Sequence, residues 1–222
     1  MFAKKLSYLR LLKIRKFNGM ADNKITGNFE RFSYSLGMSI AGNLIKSGVK
    51  SIQPDYFLEG LKDTFGGEMP KILPNEANQI LEEFISKANE ENGKENLESG
   101  QAFLAENGKK EGVVELPSGL QYKILEEGEG DIPEENHQVK CHYHGTLIDG
   151  TVFDSSVERN EPAVFPVNGV ISGWTEALQL MSVGSKWRLF IPSDLAYGEQ
   201  GAGGVIGPNS TLIFDVELLE IV

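Results

Sequence analysis

Several features are scarce in this chain, and each scarcity removes a class of function. Cys141 is the only cysteine in 222 residues, so no intrachain disulfide can form, which fits a reducing compartment. Basic residues are outnumbered, 21 Lys+Arg against 32 Asp+Glu. A net charge of -11 leaves no basic face for the phosphates of a nucleic acid. No run reaches the roughly 20 apolar residues that span a bilayer. The first nineteen residues, MFAKKLSYLRLLKIRKFNG, carry no acidic residue, and Arg10, Lys13, Arg15 and Lys16 cut every apolar stretch below the ~7–15 residues of a secretory signal. The expectation is a soluble, cytoplasmic protein, with the periplasm as the alternative address. Residues 1–24 are expected to be a disordered basic tail, with Met20 as a second candidate start. The competing reading of the tail is a basic amphipathic helix on an anionic membrane; a membrane partner is not expected.

The usual catalytic constellations are missing as well. In Cys141-His142-Tyr143-His144 alternation along a strand puts the two histidines on one face and the cysteine on the other. Two histidines without a nearby third ligand make a poor zinc site, so no metal is expected. The glycine-rich YGEQGAGGVIGPNS has Gly198 and Gly203 at P-loop spacing, but Gly204 stands where the lysine is needed. Gly201 and Gly203 begin a G-x-G, but Ile206 replaces its last glycine. No G-x-S-x-G elbow is present. Neither a nucleotide, nor a metal, nor any other cofactor is called for.

What is present divides near Val113. Before it, apolar residues recur at helical spacing. Phe29, Phe32, Leu36, Ile40 and Leu44 form one stripe, with Gly48 as a stop. A second helix opens near Pro54 with Phe57, Leu58, Leu61 and Phe65 on its buried side. A third is expected from about Pro74 towards Asn107. Its middle, SKANEENGKENLESG, offers almost nothing to bury and reads as a solvated stalk weakened at Gly93 and Gly100. Two short helices and a stalk cannot close a core, so a homodimer through residues 25–72 is predicted.

From Val113 onward LQYKIL, VKCHYHGTL, TVFDSS, SKWRLFIP and TLIFDVELLEIV read as strands. Asp149-Gly150 marks a tight hairpin, and Gly173 to Met181 is the one helix available to cover the sheet. The fold class is α+β: a C-terminal antiparallel β-sheet wrapped on one short helix, preceded by an all-α region and a long connecting helix. The domain boundaries are 1–24, 25–72, 73–112 and 113–222. In the β half Tyr143, Phe153, Trp174, Tyr197 and Phe214 remain, with Asp154. They are either plain core or the lining of an apolar cavity whose rim is polar.

At this point VKCHYHGTLIDGTVFDSS, FPVNGVISGWTEALQLMSVGSKWRLFIPSDLAYGEQGAG and STLIFDVELLEI resemble the FKBP-type peptidyl-prolyl isomerases over nearly all of 113–222. The helical half, with FLAENGKKEGVVELPSGLQYKIL at the junction, resembles the dimeric bacterial subgroup of macrophage infectivity potentiators. The resemblance implies an enzyme that isomerises X-Pro bonds in unfolded or partly folded proteins, dimerised through its helical part. It implies a proline pocket lined by the catalytic Tyr143, Phe153, Asp154, Tyr197 and Phe214 and by the substrate-binding Val170, Ile171 and Trp174. Arg159 supports Asp154, Trp174 is the floor, and the Ile171 N–H and Tyr197 hydroxyl bind substrate carbonyls. Val205 and Ile206 flank the pocket from a loop. Macrolide FKBP inhibitors are implied ligands, although Ala163 and Ala202 replace a phenylalanine and a histidine of single-domain members and open the rim. The alternative function is a non-catalytic holdase, or protein-binding module, that uses the same pocket.

Overall fold

The computed structural model describes residues 25–222; the expected basic tail lies outside the described residues. Four α-helices are described: α1 (Asn28–Lys46), α2 (Pro54–Gly66), α3 (Pro74–Asn107) and α4 (Ser172–Leu178). The described residues divide into two compact units, one ending at Gly42 and the other spanning Asn43–Val222, with the division inside α1.

Local chemistry explains where the helices begin and end. Pro54 and Pro74 sit in the first turns of α2 and α3, where a missing N–H costs nothing and a fixed φ helps. α1 stops at Gly48, whose φ of 80° lets Val49 N–H reach back to the Leu44 carbonyl at 2.9 Å. Neither α1 nor α2 has a single buried residue.

α3 is continuous over 34 residues, but its second half is not a solvated stalk. Gly93, Gly100 and Asn107 are buried, at a spacing of two helical turns that puts them on one face. A Cβ at Gly93 would meet Pro208 Cβ at 3.1 Å, and one at Gly100 would collide with Thr211 Oγ1. The glycines let the helix backbone approach the 207–211 segment. At the end of the helix Asn107 Nδ2 donates to Gln121 Oε1 at 3.0 Å, and Gln121 Nε2 donates to the Leu104 carbonyl at 2.9 Å. Phe103 packs on Phe190 with ring centroids 6.0 Å apart, but the rest of this contact face is glycine and amide, which apolar periodicity could not reveal.

Seven strands make one antiparallel sheet: β1 (Val113–Glu115), β2 (Gln121–Glu126), β3 (Gln138–Leu147), β4 (Val152–Ser155), β5 (Ala163–Pro166), β6 (Lys186–Ile191) and β7 (Leu212–Ile221). Their order is β1-β2-β6-β7-β3-β4, with β5 also paired to β3. The unforeseen β5 is four residues long and ends in proline, too short for alternation to register. The Asp149-Gly150 hairpin differs in detail from a two-residue turn. Only Gly150 has positive φ, 85°, its N–H reaches the Leu147 carbonyl at 3.0 Å, and Leu147 N–H bonds the Thr151 carbonyl at 2.9 Å. That is a type I turn closed by a glycine bulge.

The sheet's inner face and α4 enclose the core. Ala177, Leu178, Met181, Leu189, Ile191, Leu212, Val216 and Leu218 are wholly inaccessible, each of the side chains larger than alanine stabilising by roughly 1.5–3 kcal/mol. Gly173 allows this approach, because a Cβ there would lie 2.6 Å from Ile191 Cγ2.

Candidate active site

β3 and β7 run side by side and alternate inward, so Tyr143, opposite Val216, and Phe214, opposite Gly145, project to the face that α4 covers. α4 brings Trp174 beneath them. Trp174 meets Tyr143 edge-on at 5.6 Å and 83°, and Phe214 at 5.3 Å and 82°. Phe165 of β5 closes the set at 5.8 Å from Trp174. Edge-to-face contacts of this kind fix ring angles as well as distance. The rings do not fill the space they enclose. A hollow of about 380 Å³ is lined by Tyr143, Asp154, Phe165, Val170, Ile171, Trp174, Tyr197 and Phe214, together with Gly169. The Trp174 indole N–H at its base has no hydrogen-bond partner.

One edge of the hollow is polar and ordered. The Tyr143 hydroxyl donates to Asp154 Oδ2 at 2.6 Å, Arg159 Nη2 donates to the Tyr143 oxygen at 2.9 Å, and Arg159 Nη1 pairs with Asp154 Oδ1. Burial pushes the Asp154 carboxyl up, but the hydrogen bonds from Tyr143 and Arg159 and the guanidinium charge outweigh it and hold the group below the usual carboxylate range. Tyr143 shifts upward, by burial first and then by its bond to Asp154, so its hydroxyl keeps its proton. On the other edge Thr175 Oγ1 holds the Val167 carbonyl at 2.7 Å. That bond sets the turn from which Val170 and Ile171 enter α4. Tyr197 stands 41% exposed.

Eight of the eleven sequence-derived site residues are thus gathered at one hollow: seven line it, and Arg159 holds Asp154. Three are placed differently. Phe153 lies behind Phe214, at 5.3 Å and 81°, and supports the wall without lining the hollow. Positive φ at Gly201, Gly203 and Gly204 folds the loop back so that Ala202 and Ile206 pair. Ile206 therefore turns into the core, 8% exposed, and Val205 lines a different cavity with Ile45, Val49 and Asn92. Ala163 and Ala202 pack against the core cluster and do not line the hollow.

Sequence reasoning missed Phe165 and Gly145. Phe165 sits in a strand too short to recognise. Gly145 had a signal, a glycine inside a strand: a Cβ there would be 2.6 Å from Phe153 Cε2 and 2.8 Å from Phe214 Cε1. His142 and His144 bond Ser156 and Ser155 at 3.1 and 3.0 Å, and burial pushes the Cys141 thiol up to about 12, where it is inert.

Comparison with known proteins agrees with this geometry. The profile of the FKBP-type peptidyl-prolyl cis-trans isomerase domain matches residues 130–219, and that of the domain amino-terminal to it matches 29–124. The chain is 48% identical over 192 residues to the FKBP-type 22 kDa peptidyl-prolyl cis-trans isomerase of Escherichia coli, covering 85% of this chain and 93% of that one. It is 44% identical over 204 residues to the outer membrane protein MIP of Legionella longbeachae, covering 89% and 87%. The crystal structure of FkpA from Escherichia coli superposes with a TM-score of 0.62 at 35% identity, over 88% of this chain and 97% of that one. With most of each relative's length accounted for, this chain belongs to the FKBP-type peptidyl-prolyl cis-trans isomerases.

Proposed function

We propose that the aromatic hollow isomerises X-Pro bonds of unfolded or partly folded proteins with no covalent step. The observation that carries this reading is an open apolar cavity edged by the Tyr143–Asp154–Arg159 network and lined by no serine, threonine, cysteine or lysine. Rotation about a prolyl bond is opposed by amide resonance, with a barrier of ~18–20 kcal/mol. Nothing has to be broken. A site accelerates the reaction when it holds the twisted amide better than the planar one. The planar form is the more polar, and a hollow walled by Phe165, Trp174 and Phe214 solvates it poorly. Reducing an uncatalysed time of about a minute to about ten milliseconds requires roughly 5 kcal/mol. Asp154, kept ionised by its bonds from Tyr143 and Arg159, supplies a local field at the mouth, and the Ile171 N–H and Tyr197 hydroxyl orient the substrate backbone.

The test is a protease-coupled or NMR-exchange assay on an X-Pro tetrapeptide. The chain is expected to accelerate isomerisation, and Asp154→Leu to lower kcat/KM at least tenfold with the fold intact. An inactive, peptide-binding wild type would instead establish the holdase reading. An undiminished Asp154→Leu would remove the carboxylate from the mechanism.

The assembly proposed with this activity is a homodimer through residues 25–72. Phe29, Phe32, Tyr56 and Phe65 are 76%, 61%, 75% and 85% exposed, and apolar faces of this kind are normally covered. A second copy, with its identical face, is the proposed cover. Sedimentation as a monomer at micromolar concentration would refute it. For the compartment, cytoplasmic residence is the working proposal and cell fractionation its check. No helix of the described residues is long and apolar enough to cross a membrane.

A further inference from the structure

We propose that Asn96 of α3 is a positioning residue that sets Tyr197 at the mouth of the hollow. The inference rests on the reading of Tyr197 as a substrate-binding hydroxyl. Tyr197 is 41% exposed, so packing alone fixes it weakly. Its position is inherited from the residues on either side. Before it, the Ser193–Leu195 turn is anchored in the domain, with Leu195 packed against the core. After it comes Gly198, with φ of 54°, and then a loop that returns to the sheet at Leu212.

That loop is closed at its base by one backbone bond, from Asn209 N–H to the Gly198 carbonyl at 2.8 Å. Its middle hydrogen-bonds to itself, through the Ala202–Ile206 bridge, and touches the core through those two side chains. The far side of the base is held by α3. Asn96 Nδ2 donates to the Pro208 carbonyl at 2.8 Å and lies 3.4 Å from Ser210 Oγ. Asn209 Nδ2 reaches back to the Gly93 carbonyl at 3.4 Å, and Gly100 leaves room for Thr211.

The chain of contacts is therefore short: α3, then Pro208-Asn209, then Gly198, then Tyr197. Asn96 supplies its shortest side-chain link to the helix. A half-buried carbonyl turned toward a helix flank needs a donor, and a residue without one would leave Pro208 unsatisfied and the loop base free to shift. An exposed helix has no need of asparagine at 96, since the residue is a mediocre helix former. Its value lies in this contact.

The experiment compares the full-length wild type with Asn96→Ala, Tyr197→Phe and the double variant on an X-Pro tetrapeptide, with thermal unfolding of each. Losing one such hydrogen bond predicts a fall in kcat/KM of about three- to ten-fold for Asn96→Ala, with KM and kcat changing in the same proportion as for Tyr197→Phe. The double variant should be no more than about two-fold worse than Tyr197→Phe, because two residues acting through one group are not additive. A merely structural role lowers the melting temperature and multiplies in full with Tyr197→Phe; that result overturns the proposal. Full activity of Asn96→Ala beside an impaired Tyr197→Phe also overturns it, while leaving Tyr197's role standing. A silent Tyr197→Phe removes that role and the inference together. Should Asn96→Ala not fold, Asn96→Asp keeps the shape, deletes the donor and is read in the same way.

Discussion

Helices α1 and α2 and the sheet domain are built from the same kinds of apolar side chain, yet they treat them in opposite ways. Leu189, Ile191, Leu212 and Leu218 have no accessible surface at all, whereas no residue of α1 or α2 is buried. The difference comes from closure. A sheet of seven strands with one helix across it encloses its own apolar face. Two short helices enclose none. The same residue type is thus a source of folding stability in one region and of association in the other, and substitutions should separate the two roles.

The largest effect belongs to the closed region. Leu189→Ala should destabilise by about 2–5 kcal/mol, read as a fall in the urea midpoint that does not depend on protein concentration. Phe32→Ala should change the unfolding of dilute protein by no more than about 0.5 kcal/mol. Its effect should grow with concentration and appear in sedimentation, as expected when binding stabilises the bound form. If Phe32→Ala behaved like Leu189→Ala at every concentration, α1 would be folding on its own account and the contrast would fail.

Glycine sharpens the comparison, because the same replacement should have opposite signs. Gly145→Ala drives a methyl into Phe153 and Phe214, 2.6 and 2.8 Å away, an overpacking worth about 1–3 kcal/mol. It should also reduce isomerase activity, since Phe214 walls the hollow. At Gly60 in α2 nothing lies within 4 Å of the added carbon. There alanine should raise stability by about 0.5–1 kcal/mol through helix propensity alone. Calorimetry on both variants checks the pair. A loss at Gly60 would mean that a second chain's backbone presses against it.

These positions also show how much could be read in the amino-acid order. Helix starts at Pro54 and Pro74 and the polarity of β3 were legible because local sterics and alternation act within a few residues. So was the grouping of Tyr143, Asp154, Trp174 and Tyr197, through the resemblance their motifs carry. Most of the seat of α3 on the sheet domain was not, because glycine and asparagine contacts carry no hydropathy signal: Gly93 and Gly100 read as weak points in a solvated rod, and Asn96 was one more polar residue of its middle. Nor was the inward turn of Ile206, which depends on four glycines in YGEQGAGG, Gly198, Gly201, Gly203 and Gly204, taking positive φ.

The smallest expected effect is a displacement along the pH axis, and it compares the ion-paired edge of the hollow with Tyr197. Asp154 is the titrating group on that edge, and its folded pKa is depressed. Any stability from its pairing is therefore complete above the unfolded value of roughly 3.9 and disappears as pH falls through the lower folded value. Activity that needs the carboxylate should follow the same limb, staying flat from pH 8 to about 5 and declining only in more acidic solution. Tyr143, shifted upward, remains a donor over that whole range. Arg159→Gln removes one of the influences that lower the carboxyl while burial still raises it, so the acid limb must move to higher pH. Tyr197→Phe, which leaves the Asp154 pairing untouched, should lower the plateau without moving the limb. A pH–rate profile of the three proteins decides the matter: a limb that stays in place in Arg159→Gln would show that Tyr143, and not the guanidinium, keeps Asp154 charged.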